Sequence, residues 1–301
     1  MSNITNYTLS EAYCPAPVDM SKDYVDITNS ITNPISYILY DYWIEESDPR
    51  VKGYWLFDGN PAPFVILMLS WLLFVKKLGP NFMRDRKPYE LRELMMIYNF
   101  ILVVINIYGV YVSFKWLHFG RKVFDVKLPD KHIITPEIEN EISEKMIIFY
   151  SKLIDLLDTV FFVLRKKSNQ ISFLHVYHHF LVPVLGWTAF SLNSIQSCIF
   201  GVFVSLNSTV HVIMYSYYLL SAFGPQIQPY LWWKRYITRL QLIQFAILIV
   251  YAIILFTVMD LSDYPIAIKW IVIVQPFIFF YMFFKFYFKT YKHKIKFIKR
   301  I

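Results

Sequence analysis

Three histidines stand within five residues of one another, in a stretch of the chain that is otherwise apolar. They are His175, His178 and His179, in the string HVYHH. On a helix, residues three or four positions apart share a face, so His178 and His179 each lie within reach of His175. A cluster of this kind can bind a metal ion, accept a proton as a general base, or attack an acyl group as a nucleophile.

Polar side chains also recur at helical spacing in three other apolar stretches. They are Lys152, Asp155, Asp158 and Thr159 in the first, Asn207, His211, Tyr215 and Tyr218 in the second, and Thr238, Gln241 and Gln244 in the third. An internal ion pair that locks two helices together is one interpretation of the first group, and interhelical hydrogen bonding is one for the others. Ionisable groups inside an apolar span are costly and mark functional sites. Together with the histidines, these groups predict a polar chamber inside a helical bundle.

The count of histidines bears on the choice between metal and imidazole chemistry. The chain has seven, of which His118, His132 and His293 fall in predicted loops or in the C-terminal tail. The other four could hold one zinc ion, but they are too few for the di-iron site of fatty acid desaturases. Neither Cys14 nor Cys198 lies beside the histidines, so acyl chemistry would run on an imidazole. Imidazole chemistry is preferred, and we expect no metal and no cofactor.

The composition indicates what kind of molecule must position these groups. Of 301 residues, 56% are hydrophobic and 17% are charged, against about 25% charged in an ordinary soluble domain. This composition excludes a disordered chain, a collagen-like repeat and a disulfide-rich secreted scaffold, and it argues against a soluble enzyme. The net charge of +8 comes from basic clusters between apolar runs, which favours membrane orientation signals over nucleic-acid binding.

Seven apolar runs are candidates to cross a bilayer, which takes about 20 residues. Their approximate bounds are 61–78, 93–117, 146–164, 172–190, 197–220, 236–258 and 266–288. We therefore predict an all-α membrane protein with seven transmembrane helices. Residues 1–60 would form a non-cytosolic N-terminal segment, residues 61–290 the transmembrane domain, and residues 291–301 a basic cytosolic tail.

Basic residues decide which side of the bilayer each loop faces. They cluster between the first and second spans, between the third and fourth, between the fifth and sixth, and in the tail. All four clusters fall on one side, which should be cytosolic, and the N-terminus is then non-cytosolic. Glycosylation sequons at Asn3 and Asn6 agree with that side. Cys14 and Cys198 would face the same side, where they could pair as a disulfide.

The chain resembles the ELO family of very-long-chain fatty acid elongases over roughly residues 60–290. Four family boxes occur in order: KLIDLLDT from Lys152 to Thr159, HVYHH from His175 to His179, HVIMYSYY from His211 to Tyr218, and TRLQLIQ from Thr238 to Gln244. Asp155 replaces the glutamate that is usual in the first box, which keeps the charge and shortens the side chain by one methylene. Four boxes in order on successive spans make the resemblance specific.

The resemblance implies a bundle in which six of seven helices surround a tunnel for the acyl chain. It implies condensation of malonyl-CoA with a long-chain fatty acyl-CoA at the endoplasmic reticulum membrane, giving 3-ketoacyl-CoA, CO₂ and CoA. It further implies that His178 carries an acyl-histidine intermediate, that His211 lies opposite, and that no metal takes part. The chain has no dinucleotide-binding fingerprint, so the reductase and dehydratase enzymes of the elongation cycle would be partners. A homodimer is left open.

A polyanionic CoA would require a basic cytosolic mouth. The candidates near the predicted cytosolic ends of the spans are Lys166, Lys167, Lys234, Arg235 and Arg239. The enolate formed by decarboxylation needs donors or cations, for which the candidates are His175, His179, Asn207, Gln241 and Lys152. Three alternatives stay open: a seven-helix receptor or transporter without chemistry, a metal-dependent lipid oxidase, and a catalytically inactive family member.

Overall fold

The computed structural model of the protein describes residues 37, 41–128, 130–192 and 198–292. The regular elements within those ranges are all helical, which confirms the predicted fold class. The main helices are α1 (Tyr42–Glu46), α2 (Ala62–Leu73), α3 (Gly79–Met83), α4 (Arg92–Trp116), α5 (Pro136–Ile154), α6 (Leu157–Leu164), α7 (Phe173–Ser191), α8 (Cys198–Ala222), α9 (Lys234–Val258) and α10 (Ile266–Tyr287). Short 3₁₀ helices occupy Pro49–Val51, His118–Gly120, Ser168–Gln170 and Gln228–Tyr230, and π-helical turns occupy Phe74–Leu78 and Phe288–Lys292.

One compact unit runs from Trp43 onward, and the description below concerns that unit. Most of the other unit, Met1–Tyr42, lies outside the described residues. The two predicted sequons and Cys14 fall there, and the last residues of the basic tail are also outside the described ranges. The predicted pairing of Cys14 with Cys198 therefore stays a prediction.

Five of the described helices are long and apolar enough to cross a membrane. They are Ala62–Met83, which joins α2, a π-helical turn and α3; Arg92–Trp116, which is α4; Cys198–Ala222, which is α8; Gln228–Val258, which extends α9; and Ile266–Tyr291, which extends α10. The predicted helical membrane bundle is confirmed in this form. The predicted spans at 146–164 and 172–190 are not among the five, and the count of seven stays a prediction.

Those two remaining stretches are the ones that carry the first two sequence boxes. The α-helix is interrupted at Asp155 and Leu156, between α5 and α6. The stretch 146–164 therefore forms two helices rather than one. Charged side chains lower the hydropathy of this stretch, and three histidines lower that of α7. Ionisable side chains are costly in a bilayer unless the bundle supplies partners, so both stretches depend on the helices around them.

Six helices pack side by side in a closed ring. α4 lies along α8 and also contacts α5, α5 contacts α7, α7 contacts α10, and both α10 and α8 pack on α9. The order around the ring is therefore α4, α8, α9, α10, α7 and α5. This arrangement agrees with the six helices around a tunnel that the resemblance implies.

Three helices of this ring meet at Gly109 of α4. A Cβ atom built there would lie 2.6 Å from the Ser208 Oγ atom of α8 and 3.1 Å from the Ile148 Cδ1 atom of α5. Small residues allow helices inside a membrane to approach closely. Glycine at this position therefore permits the contact between α4 and α8.

The two helices that lead into the site each begin at a side-chain cap. The Thr135 hydroxyl accepts a hydrogen bond from the Ile138 amide at 3.3 Å, and the Ser172 hydroxyl accepts one from the His175 amide at 3.2 Å. Such caps satisfy amides that have no partner in the first turn, and so fix where a helix begins. Because Ser172 caps the amide of His175, the position where α7 begins determines where the three histidine side chains of the HVYHH box point.

The segment before α2 packs against the end of α7 that is remote from the histidines. The Trp187 indole donates to the Leu56 carbonyl oxygen at 2.9 Å, and the Asp48 amide donates to the Ser191 carbonyl oxygen at 3.0 Å. The Phe57 ring stacks on Trp187 with a centroid distance of 6.3 Å. Burial of one such ring contributes about 2–3 kcal/mol. Part of the predicted N-terminal segment therefore belongs to the core of the bundle.

Candidate active site

The predicted site residues come from the five helices α5 to α9, and most of them meet around the start of α7. The three histidines of HVYHH occupy the first two turns of α7, and Lys152 lies in the last turn of α5. Asp155 lies in the break between α5 and α6, and His211 is on α8. α7 packs on α5, and the contact of Lys152 with His211 joins α5 to α8. Boxes that are far apart in sequence therefore face one another.

An ion pair is buried at the end of α5. The Lys152 Nζ atom lies 3.2 Å from the Asp155 Oδ2 atom, and the two side chains are only 10% and 6% exposed. The same ammonium lies 3.5 Å from Nδ1 of His211. An ammonium can only donate, so in the tautomer in which Nδ1 accepts from Lys152 the neutral His211 ring has its proton on Nε2. Buried ion pairs need partners for their remaining hydrogen-bonding groups, and His211 supplies one.

A single hydroxyl connects the two carboxylates of this cluster. The Tyr215 Oη atom lies 3.0 Å from Asp155 Oδ1 and 3.2 Å from Asp158 Oδ2. Tyr215 is completely buried, and both aspartates are buried as well. A hydroxyl carries one proton, so Tyr215 can donate to only one carboxylate at a time. The cluster therefore holds two acids, one ammonium and one shared hydroxyl proton away from bulk solvent.

His175 is held in place by α6. Its Nε2 atom lies 2.9 Å from Oγ1 of Thr159. Its ring packs on Phe162 and His179, with centroid distances of 5.2 Å and 4.2 Å. The hydrogen bond joins the KLIDLLDT box to the HVYHH box directly, so the orientation of the first histidine depends on the last residue of the preceding box.

The other two histidines of α7 are held by ring contacts. The centroid of the His178 ring lies 5.4 Å from those of His179 and Phe279, and 6.5 Å from that of Phe283. Over the described part of the chain, the side chains of His178 and His179 form no hydrogen bond. Their ring nitrogens are therefore available to a substrate, whereas the two hydrogen-bonded histidines each have one nitrogen engaged.

An apolar cavity lies inside the ring of helices and reaches this cluster. Its wall consists of residues from α5, α7, α8, α9 and α10. Most lining side chains are aliphatic or aromatic, and among them is Phe279, which contacts His178. Lys152 and Asn207 also line the cavity, so the ion pair faces it. The arrangement suits a molecule with one reactive polar end and a long hydrocarbon tail.

Tyr218, Gln241 and Gln244 are three further supporting residues predicted from the sequence. The Tyr218 ring packs on that of Tyr215 at 6.1 Å, and Gln241 Nε2 lies 3.8 Å from the sulfur of Met214. Gln244 is buried, with 4% of its surface exposed. No hydrogen bond joins Tyr218 or either glutamine to the histidines within the described ranges. Their part in any reaction stays a prediction.

The basic residues predicted to bind CoA are exposed at helix ends. They are Lys166 and Lys167 after α6, and Lys234, Arg235 and Arg239 in the first turns of α9. The Arg239 Nε atom donates to the Tyr287 hydroxyl at 2.8 Å. Tyr287 lies one turn beyond Phe283, which contacts His178. The basic start of α9 is therefore at the same end of the ring as the histidines.

The aromatic contacts of His178 were not predicted from the sequence. Phe279 and Phe283 belong to α10, which carries none of the four boxes. Gln275, a polar residue in the same apolar run, was a signal that α10 lines the chamber, and it does line the cavity. Groups of three or more His, Cys, Asp or Glu residues able to hold a metal ion do not occur among the described residues.

Comparison with known proteins gives a consistent family. The model of the "ELO: GNS1/SUR4 family" matches residues 56–297. The chain is 37% identical to very long chain fatty acid elongase 7 of Rattus norvegicus, over 84% of this chain and 88% of that protein. It is 38% identical to very long chain fatty acid elongase 1 of Homo sapiens, over 84% and 89%, and 38% identical to elongase 4 of Homo sapiens, over 90% and 83%. The chain therefore belongs to the ELO family.

Proposed function

We propose that this protein condenses malonyl-CoA with a long-chain fatty acyl-CoA, the first step of very-long-chain fatty acid elongation. The products are a 3-ketoacyl-CoA, CO₂ and CoA. The observation that carries the proposal is a histidine cluster beside an apolar cavity inside a six-helix ring, where Lys152 and Phe279 line the cavity and contact His211 and His178. The acyl chain would occupy the cavity, with its thioester at the histidines. The names of the relatives as very long chain fatty acid elongases support this class of reaction.

His178 is the proposed nucleophile of the first half-reaction. A neutral imidazole nitrogen has a lone pair that can attack the carbonyl carbon of a thioester. The carbon–nitrogen bond forms as the carbon–sulfur bond breaks. The leaving CoA takes the proton of the imidazole N–H and departs as a thiol. The acyl group then remains on His178 as an acyl-imidazole, with its hydrocarbon chain in the cavity.

The second half-reaction forms the new carbon–carbon bond. Malonyl-CoA loses CO₂, and the electron pair of the broken bond forms the enolate of the remaining acetyl thioester. The enolate carbon attacks the acyl carbonyl, the carbon–nitrogen bond breaks, and the imidazole regains one proton, which is the proton that the whole reaction consumes. Enolate charge needs preorganised donors. Lys152 and Asn207 line the cavity, and the Nε2–H of His211 is a further donor.

The exposed basic residues around the histidine end would bind the phosphates of CoA. Arg binds phosphate with two parallel hydrogen bonds and Lys as a point charge. Lys166, Lys167, Lys234, Arg235 and Arg239 form this rim. The polar end of the substrate would therefore stay in water while only the acyl chain enters the ring.

The family resemblance supports a cellular location, the basic clusters between the spans support an orientation, and the chemistry supports a set of partner enzymes. It would be a multi-pass protein of the endoplasmic reticulum, with a lumenal N-terminus and a cytosolic C-terminal tail. A 3-ketoacyl-CoA must be reduced and dehydrated before the next cycle, so the reductase and dehydratase enzymes would be its partners, and a homodimer is left open. It would need no metal and no cofactor.

Extension of acyl-CoA by membranes that contain the protein tests the proposal. Isotope-labelled malonyl-CoA is supplied with a panel of acyl-CoAs, with and without a chelator. We expect two-carbon extension that resists chelation. The variant His178→Ala should lose it by roughly 10²-fold or more, as expected for a lost catalytic group. His118→Ala is the matched control, because His118 is an exposed histidine in the loop after α4, and it should keep normal activity.

The covalent intermediate can be sought separately from turnover. Protein incubated with acyl-CoA alone should gain one acyl group on His178, detected by mass spectrometry of the intact protein and of its peptides. Near-normal condensation by the His178→Ala variant would rule out the acyl-histidine. Loss of extension on chelation would favour a metal-dependent enzyme. A well-expressed protein that extends no acyl-CoA would instead be an inactive member of the family.

A further inference from the structure

One polar side chain on the cavity wall has an atom without a partner. Gln275 of α10 lines the cavity, and its Oε1 atom is buried with no hydrogen-bond partner among the residues that the structure describes. Most buried polar atoms in proteins are paired, so this one calls for a physical reason. Two other polar groups of the wall have partners: Lys152 pairs with Asp155, and the Tyr251 hydroxyl donates to the Val123 carbonyl oxygen at 2.7 Å.

The next residue along α10 removes the usual helical donor of a carbonyl on the same helix. Pro276 lies inside the helix. A proline has no N–H to donate to the carbonyl four residues earlier, which here is that of Val272. Val272, Gln275 and Pro276 all line the cavity, and residues three and four apart share a helical face. One face of α10 therefore brings the Gln275 amide to the wall of a mainly apolar cavity, one turn from the residue whose carbonyl Pro276 deprives of its usual helical donor.

Gln275 lies at a definite depth below the histidines. Phe279 and Phe283, one and two turns further along α10, both contact the His178 ring. At 1.5 Å per residue, Gln275 is roughly 6–12 Å along the helix axis from the level of those contacts. It lies on the side away from Arg239 and Tyr287, where CoA would bind. An acyl chain that starts at His178 and enters the cavity would pass Gln275 several carbons from its carbonyl.

We propose that the cavity selects acyl chains that carry a hydroxyl group partway along the chain, and that Gln275 binds this hydroxyl. The inference rests on the proposed function and names its substrate class. A hydroxyl donates and accepts, so it satisfies the amide in either orientation of its oxygen and nitrogen. A saturated chain leaves the amide unpaired, and a double bond offers the N–H only a weak acceptor. A site that hydrogen-bonds a substrate group disfavours the analogue that lacks it.

Extension of matched acyl-CoA pairs by the full-length protein tests this inference. The two members of a pair have the same number of carbons, one saturated and the other with a single hydroxyl, whose position varies between pairs. We expect the wild-type protein to have the higher kcat/KM for the hydroxylated member at one or more positions. In the Gln275→Leu variant this preference should fall roughly three- to tenfold, the effect of one lost hydrogen bond.

A control and a second readout separate recognition from damage to the fold. Gln226→Leu makes the same change at an exposed residue outside the cavity, and it should leave the preference unchanged. Binding is measured without malonyl-CoA, as the rise in melting temperature of the detergent-solubilised protein. In the wild type, the hydroxylated acyl-CoA should raise the melting temperature more than the saturated one does. In Gln275→Leu, the two acyl-CoAs should raise it by the same amount. If Gln275→Leu does not fold, Gln275→Met is used instead, because methionine keeps the length of the glutamine side chain.

The outcomes distinguish failure of the inference from failure of the proposed function. Extension of saturated chains without preference for a hydroxyl at any position would overturn the inference alone. So would a preference that is equal in the wild type and in Gln275→Leu, because another group would then bind the hydroxyl. A wild type that extends neither member of any pair would overturn the proposed function, and the inference with it. If neither Gln275 variant folds, the wild-type preference alone decides.

Discussion

Asp155 contacts both Lys152 and Tyr215, although its side chain is one methylene shorter than the glutamate usual in this box. The distances are 3.2 Å to the ammonium and 3.0 Å to the hydroxyl. Lys152 and Asp155 are three residues apart, a spacing at which side chains meet on a helix, and α5 ends at this point, just before α6. The spacing of the box predicted which residues would share a region. It could not predict the break, because the run 146–164 is apolar enough to suggest one uninterrupted helix.

Loss of the Tyr215 hydroxyl should affect both stability and reaction. In Tyr215→Phe the two buried carboxylates lose the donor that they share, at 3.0 Å and 3.2 Å. An unpaired buried polar group costs about 1–3 kcal/mol, so we expect a lower melting temperature in detergent and slower condensation. The control is Tyr217→Phe, the same change two residues away on α8, where the ring packs on Trp233. Equal effects of the two variants would show that Tyr215 acts only through packing.

At the scale of the element, the start of α7 should matter more to the reaction than to the fold. Removal of the cap in Ser172→Ala should cost about 0.5–2 kcal/mol, and the first turn that carries His175 should fray. Thr135→Ala removes the equivalent cap of α5, far along that helix from Lys152. We expect similar falls in the melting temperature of both variants, and a lower kcat in Ser172→Ala alone. An equal fall in kcat would mean that the cap of α7 has no special relation to the histidines.

Helical faces were predictable from the sequence, and helix neighbours were not. The period of the helix placed His175 and His179 on one face, and their rings do lie 4.2 Å apart. No spacing rule could place Phe279 beside His178, because about 100 residues, including the two helices α8 and α9, separate them along the chain. Neighbours are set by how the apolar surfaces of all six ring helices fit together. The sequence therefore predicted which polar residues share a helical face, but not the aromatic residues that pack against them.

The whole molecule can cross a bilayer in two ways that leave its termini on the same two sides. Five spans and seven spans are both odd numbers, so the positions of the termini do not distinguish them. The difference concerns only α5–α6 and α7. Because the termini lie on opposite sides, either both of these stretches cross the bilayer or neither does. α7 has 19 residues and a rise of about 28 Å, close to the roughly 30 Å of the hydrocarbon core. Since the ring supplies partners for their ionisable side chains, we predict that both stretches cross.

The loop between α6 and α7 decides this prediction. If both stretches cross, Asn169 faces the cytosol and His132 faces the lumen; if neither crosses, both residues face the lumen. Both are exposed, so Asn169→Cys and His132→Cys can be made in a chain with Cys14→Ser and Cys198→Ser. A membrane-impermeant maleimide applied to sealed microsomes should label Cys at 169 at once, and Cys at 132 only after permeabilisation. Protection of both positions until permeabilisation would contradict seven spans.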